Sequence, residues 1–170
     1  HPKILEFSSV YEGYLRENTA NKFWLVNTNK LVRYYEGADG LKTGHTDNAK
    51  YCLAATAKKN NLRLIGIVLG EEESKVRNNE AMQLLDYGFS NYTVTSFGKK
   101  GDVIKSVEIK KGTSSSVDAI LENDAEVLMS NGSSKDITQE IKLDDTFTAP
   151  ILEGQKLGEV EFSINGNVVS

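Results

Sequence analysis

The chain of 170 residues predicts an α+β fold: an antiparallel sheet with a covering C-terminal helix, followed by a small all-β sandwich domain. Three observations carry this reading. Strand-like runs at 41–44, 51–57 and 62–69 are joined by short polar turns, which implies an antiparallel meander. Residues 74–91 then repeat apolar side chains at helical spacing. Beyond Tyr92 the texture changes to short alternating segments separated by Gly, Asn, Ser and Asp clusters, as in small all-β domains.

Taken in order, Phe23-Trp24-Leu25-Val26 reads as a short strand or helix end, closed by the polar side chains of Asn27-Thr28-Asn29. Residues 36–40, with two glycines and an aspartate, read as a turn leading into Leu41-Lys42-Thr43-Gly44, and Asp39 and Asp47 as turn residues. Residues 51–57 are small and apolar, and Cys52 among them is expected to be a buried core residue, since a free cysteine behaves as a small hydrophobe. Residues 62–69 are nearly all apolar and closed by Gly70, which suggests a strand buried on both faces. Ser74 is the expected cap of the helix, whose apolar stripe is Val76, Ala81, Leu84, Leu85 and Phe89. Later strands are expected at 92–97, 103–109, 125–130, 137–143 and 157–164, with Asn165-Gly166 as a hairpin turn and residues 113–116 as a loop. The domain boundary falls near Asn91, giving domains 1–91 and 92–170.

Composition narrows the function classes. At 39% hydrophobic and 26% charged the chain is an ordinary globular sequence. Its net charge of -4 and its scattered lysine pairs argue against nucleic acid as a partner, because phosphate contacts need clustered cations. The single cysteine excludes an internal disulfide and a cysteine-based zinc site, and with only His1 and His45 as histidines no metal or other cofactor is expected. The longest apolar run, residues 64–69, falls far short of the roughly 20 residues that span a bilayer. The start at His1-Pro2, without an initiator Met, suggests a fragment or a processed product.

The candidate chemistry lies at Lys42-Thr43-Gly44-His45-Thr46. A lysine, a hydroxyl and a glycine in succession on an extended segment suit a site where a carboxylate-bearing peptide lies along a strand edge and is held by a cation. A phosphate loop would need glycine directly before the lysine, where Leu41 stands.

The stretch Gly40-Leu41-Lys42-Thr43-Gly44-His45-Thr46, its continuation through Ala57, and Arg63-Leu64-Ile65 through Gly70 resemble the serine D-alanyl-D-alanine carboxypeptidases, the low-molecular-mass penicillin-binding proteins. The likeness continues through Arg77 to Glu80, Leu84-Leu85 and Tyr87-Gly88-Phe89, and then through Ala149-Pro150-Ile151, Glu153-Gly154-Gln155 and Leu157-Gly158 in the β domain. It implies part of a penicillin-binding/β-lactamase-like transpeptidase fold in residues 1–91. It also implies an activated serine that attacks the bond between two D-alanines at the end of a peptidoglycan stem peptide, and that is acylated by β-lactam antibiotics.

On that resemblance Lys42 supplies positive charge beside the serine, and Thr43 donates its hydroxyl towards the substrate's terminal carboxylate. Gly44 admits the substrate backbone, His45 offers its main-chain N–H as an oxyanion donor, and Thr46 and Arg77 complete the substrate site. The alternative for Arg77 is an exposed helix residue. The family's Ser-x-x-Lys and Ser-x-Asn are met only formally, at Ser96-Phe97-Gly98-Lys99 and Ser163-Ile164-Asn165, both in the β domain and both read as chance matches. The nucleophile is therefore expected in an N-terminal segment outside this sequence. An extracytoplasmic location follows from cell-wall chemistry, with peripheral membrane association through an amphipathic helix that family members carry further on. The reading from another class is a non-catalytic relative, a cell-wall-binding or spacer module. Without partner strands, the sheet of residues 1–91 is expected to show an exposed face and edge at 62–69.

Overall fold

A computed structural model describes residues 2–132, 137–164 and 166–168. The chain divides into two compact units, His1–Thr93 and Val94–Ser170.

The first unit opens with a short helix, α1 (Lys3–Ser8), which the sequence did not signal, and a two-stranded ribbon, β1 (Glu12–Leu15) and β2 (Phe23–Val26). A single helical turn, α2 (Leu31–Tyr34), leads into the meander β3 (Ala38–Thr46), β4 (Lys50–Lys59) and β5 (Leu62–Glu71). These three strands form one antiparallel sheet in sequential order. The turn before β3 is shorter than expected, because Ala38, Asp39 and Gly40 already belong to the strand. Gly37 carries the turn with φ +82, and a Cβ there would sit 2.4 Å from the Lys58 carbonyl oxygen, so only glycine fits.

Helix α3 (Ser74–Asn91) lies against one face of this sheet. Its inward stripe is Arg77, Ala81, Leu85 and Gly88, spaced by whole turns. Val76 and Leu84, expected inside, are exposed. Glu73, not Ser74, occupies the N-cap, and no side chain caps the helix. The core joins Leu31, Tyr35, Leu53, Ala55, Ala57, Val68, Ala81 and Leu85. Small residues at the contact bring helix and sheet close: a Cβ on Gly88 would meet Leu64 Cδ1 at 2.4 Å.

Two expectations about burial fail, both through strand parity. Strand β5 hides Leu62, Gly66 and Val68 against the helix side, while Ile65, Ile67 and Leu69 are 71%, 60% and 70% exposed on the other. It is therefore buried on one face, and it is one of the sheet's two edges. Cys52 is only half-buried, because it alternates away from core-facing Leu53 and donates its thiol to the Ala49 carbonyl at 3.2 Å.

The second unit is built of strands. These are β6 (Tyr92–Gly98, which straddles the boundary), β7 (Val103–Lys110), β8 (Ser116–Ile120), β9 (Ala125–Ser130), β10 (Ile137–Leu143), β11 (Thr146–Thr148), β12 (Gly158–Ile164) and β13 (Asn167–Val168). They pair as β6-β9, β11-β7-β8 and β10-β12-β13, with β11 parallel to β7. Val127 and Met129 of β9 pack with Phe162 of β12, so the first and last of these sheets share an apolar layer. Phe97 and Phe162 add a tilted ring pair at 4.9 Å. Strands β8 and β11 carry little sequence signal because they are only five and three residues long. Asn165 of the expected Asn165-Gly166 turn lies outside the described residues.

Candidate active site

Strand β3 holds Lys42, Thr43, Gly44, His45 and Thr46 on a free edge of its sheet, since among the described residues it pairs only with β4. Register fixes which way each points. Lys42 stands opposite Ala54, and Ala54 opposite Ile67, so Lys42 shares the face turned away from α3 with the exposed isoleucines of β5. Thr43 stands opposite Leu53 and Val68 in the row that faces the helix. The cation and the hydroxyl thus flank the strand edge from opposite faces.

Lys42 is exposed, and its Nζ donates to the Thr43 carbonyl at 2.5 Å; no carboxylate pairs with it among the described residues. Gly44 faces open space except for Cys52, whose Cβ would lie 3.8 Å from an added methyl. The His45 ring packs on Tyr51 at 4.2 Å between centroids. Thr46 uses its hydroxyl to accept the Ala49 N–H at 2.9 Å, closing the turn to β4.

Arg77 is not the exposed helix residue weighed as its alternative: it is 4% exposed, on the inner stripe of α3. Its guanidinium donates to Asn78 Oδ1 at 3.1 and 2.8 Å and to the Cys52 carbonyl at 3.5 Å, and lies 6.0 Å from the Tyr51 ring. Burial lowers its pKa, partly opposed by Cys52 and Tyr51, and no carboxylate neutralises it among the described residues. Arg77 meets the candidate strand through β4: it bonds Cys52, which pairs with Gly44, and approaches Tyr51, which packs on His45.

Two supporting features were missed from sequence. Asp39, expected in a turn, sits in an irregularity of the β3-β4 ladder between Ala38 and Gly40. Its carboxylate takes a two-pronged bond from Arg63 of β5 at 2.9 and 2.7 Å, while Arg63 also donates to Thr56 of β4 at 2.7 Å. One guanidinium thereby ties all three strands just before Lys42. The second is the loop before α2, where Thr28 Oγ1 lies 2.6 Å from Thr43 Oγ1. The polar run Asn27-Thr28-Asn29 was visible in the sequence, but its meeting with β3 was not. In the β domain, Ser96 lies on β6 and the Lys99 amine pairs with Asp124 and Glu126.

Residues 1–73 match the D-alanyl-D-alanine carboxypeptidase family model, and residues 92–170 match that of the penicillin-binding protein 5 C-terminal domain. The chain is 41% identical over its whole length to D-alanyl-D-alanine carboxypeptidase DacF of Bacillus subtilis, of which it covers 44%. It is 31% identical over 98% of its length to DacA of Haemophilus influenzae, again covering 44%. The crystal structure of penicillin-binding protein 5 from Haemophilus influenzae superposes with a TM-score of 0.76 at 27% identity, over 99% of this chain and 48% of that one. The chain thus spans less than half the length of these relatives. With both family models matched in order along one chain, and the Lys-Thr-Gly strand inside the first, it belongs to the D-alanyl-D-alanine carboxypeptidase family of low-molecular-mass penicillin-binding proteins.

Proposed function

We propose that this chain is the substrate-facing part of a serine D-alanyl-D-alanine carboxypeptidase, comprising the C-terminal portion of its catalytic domain in residues 1–91 and its β domain in residues 92–170. One observation supports the reading above the rest. Lys42 lies in the same cross-strand row as Ile67, on an apolar sheet face that α1 approaches beside Gly40 and Thr56 and that leaves Ile65 and Ile67 71% and 60% exposed. A preceding segment of the full-length protein that packed on Ile65 and Ile67 would bring its serine and lysine directly against the Lys42 amine.

The serine oxygen attacks the carbonyl between the two D-alanines, the terminal D-alanine leaves, and water hydrolyses the acyl-enzyme. A stem peptide laid along the open edge of β3 meets the Thr43 hydroxyl at its terminal carboxylate, and Gly44 puts no side chain in its way. The His45 N–H supplies an oxyanion bond, and losing such a donor typically costs about a hundred- to a thousandfold in rate. Lys42 and the un-neutralised charge of Arg77 raise the positive potential on both sides of the edge. Penicillins acylate the same serine, being carboxylates that present a reactive carbonyl in the same geometry. The work is done outside the cytoplasmic membrane, on the cell wall. No helix among the described residues is long and apolar enough to cross a membrane.

The test uses the full-length protein. Covalent uptake of a fluorescent penicillin and release of D-alanine from an acylated Lys-D-Ala-D-Ala peptide are expected, both lost on Lys42→Ala. Intact protein that neither labels nor releases D-alanine would return the chain to the binding-module reading.

A further inference from the structure

The loop before α2 places a second hydroxyl at the substrate strand, and its construction indicates why it is there. Thr28 is exposed, yet it is flanked by two asparagines that pin the loop from both sides. Asn27 donates its carboxamide to the Ser8 and Val10 carbonyls, each at 3.0 Å, and its Oδ1 accepts the Asn29 N–H at 2.9 Å. Its own N–H reaches the Tyr11 carbonyl at 2.7 Å. Asn29 is 1% exposed; its carboxamide donates to the Gly40 carbonyl at 2.8 Å and accepts the Leu31 N–H at 3.2 Å. The loop is therefore bonded to the α1–β1 segment on one side and to β3 on the other, two residues before Lys42. A β-branched side chain on so fixed a backbone has few places to put its oxygen. That oxygen lies 2.6 Å from Thr43 Oγ1.

We infer that Thr28 is a positioning residue for the Thr43 hydroxyl, an inference that rests on the carboxylate-recognition role proposed for Thr43. A lone threonine hydroxyl on an open edge rotates and spends part of its time donating to water. With Thr28 donating to Thr43 Oγ1, the Thr43 proton is turned outward, and the chained pair is a better donor to a carboxylate oxygen than either hydroxyl alone. The same arrangement sets the polarity of the subsite: two hydroxyls 2.6 Å apart favour an anionic oxygen over an apolar end group.

The experiment is a double-mutant cycle in the full-length protein, read as kcat/KM for an N-acylated L-Lys-D-Ala-D-Ala peptide, with thermal midpoints recorded for each variant. Thr43→Val is expected to lose at least about tenfold, and Thr28→Val about three- to tenfold, the size of one ordered hydrogen bond. The Thr28→Val loss should vanish in the Thr43→Val background, and Thr28→Ser, which keeps the hydroxyl, should return to within about twofold of the parent. An undiminished rate in Thr28→Val, a loss that persists unchanged beside Thr43→Val, or a loss that merely follows a lowered thermal midpoint each overturns the inference while leaving Thr43 in its role. An undiminished rate in Thr43→Val overturns the carboxylate reading itself, and Thr28 with it.

Discussion

Removing the carboxylate of Asp39 is expected to loosen the strand that carries Lys42 without touching the lysine. The Arg63–Asp39 pair is two-pronged, at 2.9 and 2.7 Å, with the two side chains 35% and 23% exposed. Two unit charges about 4 Å apart attract by about 4 kcal/mol at an effective dielectric constant near 20, before desolvation and side-chain ordering are subtracted. Exposed pairs retain about 0.2–1 kcal/mol of this, and breaking a buried pair costs about 3–5 kcal/mol. At intermediate burial the coupling should be about 1–1.5 kcal/mol. Asp39→Ala alone should cost about 2 kcal/mol, because Arg63 keeps only its bond to Thr56. The bond to Asp39 is also the main cause raising the pKa of Arg63, against burial, which lowers it. The assay is a denaturation cycle over Asp39→Ala, Arg63→Ala and the double variant in the full-length protein, repeated at high salt. A coupling below about 0.3 kcal/mol would refute the claim that this pair ties β3 to β5, as would its complete disappearance in salt, which would mark an ordinary surface pair.

Other outcomes follow from single contacts. Leu85, 1% exposed between α3 and the sheet, should cost about 3 kcal/mol as Leu85→Ala in equilibrium unfolding; a loss under about 1 kcal/mol would mean that the helix is not held by this stripe. Glu71 has its pKa raised, first by burial and then by its bond to and repulsion from Glu80, with a further push from Glu72. Its folded form prefers the proton, so this stabilisation is complete below the usual carboxylate range and is lost as pH rises through the raised value. Glu80→Gln should therefore gain on the parent as pH climbs from about 4 to 7, and superimposable pH–stability curves would exclude it. Asp124 is shifted the opposite way, by the Lys100 N–H and then by the Lys99 amine, so its contribution is present at neutral pH and fades as pH falls through its depressed value; Asp124→Asn should flatten that acid limb. Residues 92–170 have a core of their own in Val107, Val127, Met129 and Phe162, all at or below 2% exposure, and expressed alone they should unfold in one cooperative transition; a gradual, non-cooperative melt would count against this.

Much of the first unit was legible because its signals are local. The apolar runs and intervening turns marked β4 and β5, and the period of residues 74–91 marked α3, with Ser74 as its first residue and not its cap. What failed was assignment to faces. Residues 62–69 read as uniformly apolar, so alternation could not show that Ile65, Ile67 and Leu69 turn away from the helix. Cys52 looked like a core residue by type, and parity placed it opposite Gly44 on the other face. Arg77 shows the reverse error: a charged helix residue admitted an exposed reading, yet it lies on the inner stripe, where a carbonyl and an asparagine satisfy its donors.

Neighbours along the chain were enough to mark β4, β5, α3 and the change of texture after Tyr92, and to single out Lys42-Thr43-Gly44-His45 as the candidate site, since turn residues, periodicity and motif spacing are local properties. It takes the folded sheet to put Lys42 on one face with Ile67 and Thr43 on the other with Val68, to bring Arg63 to Asp39 from two strands away, and to bring Thr28 to Thr43 across 15 positions. Each of these depends on register, and register is set by how the whole sheet buries one face against α3, a cooperative choice that no short stretch of sequence makes alone.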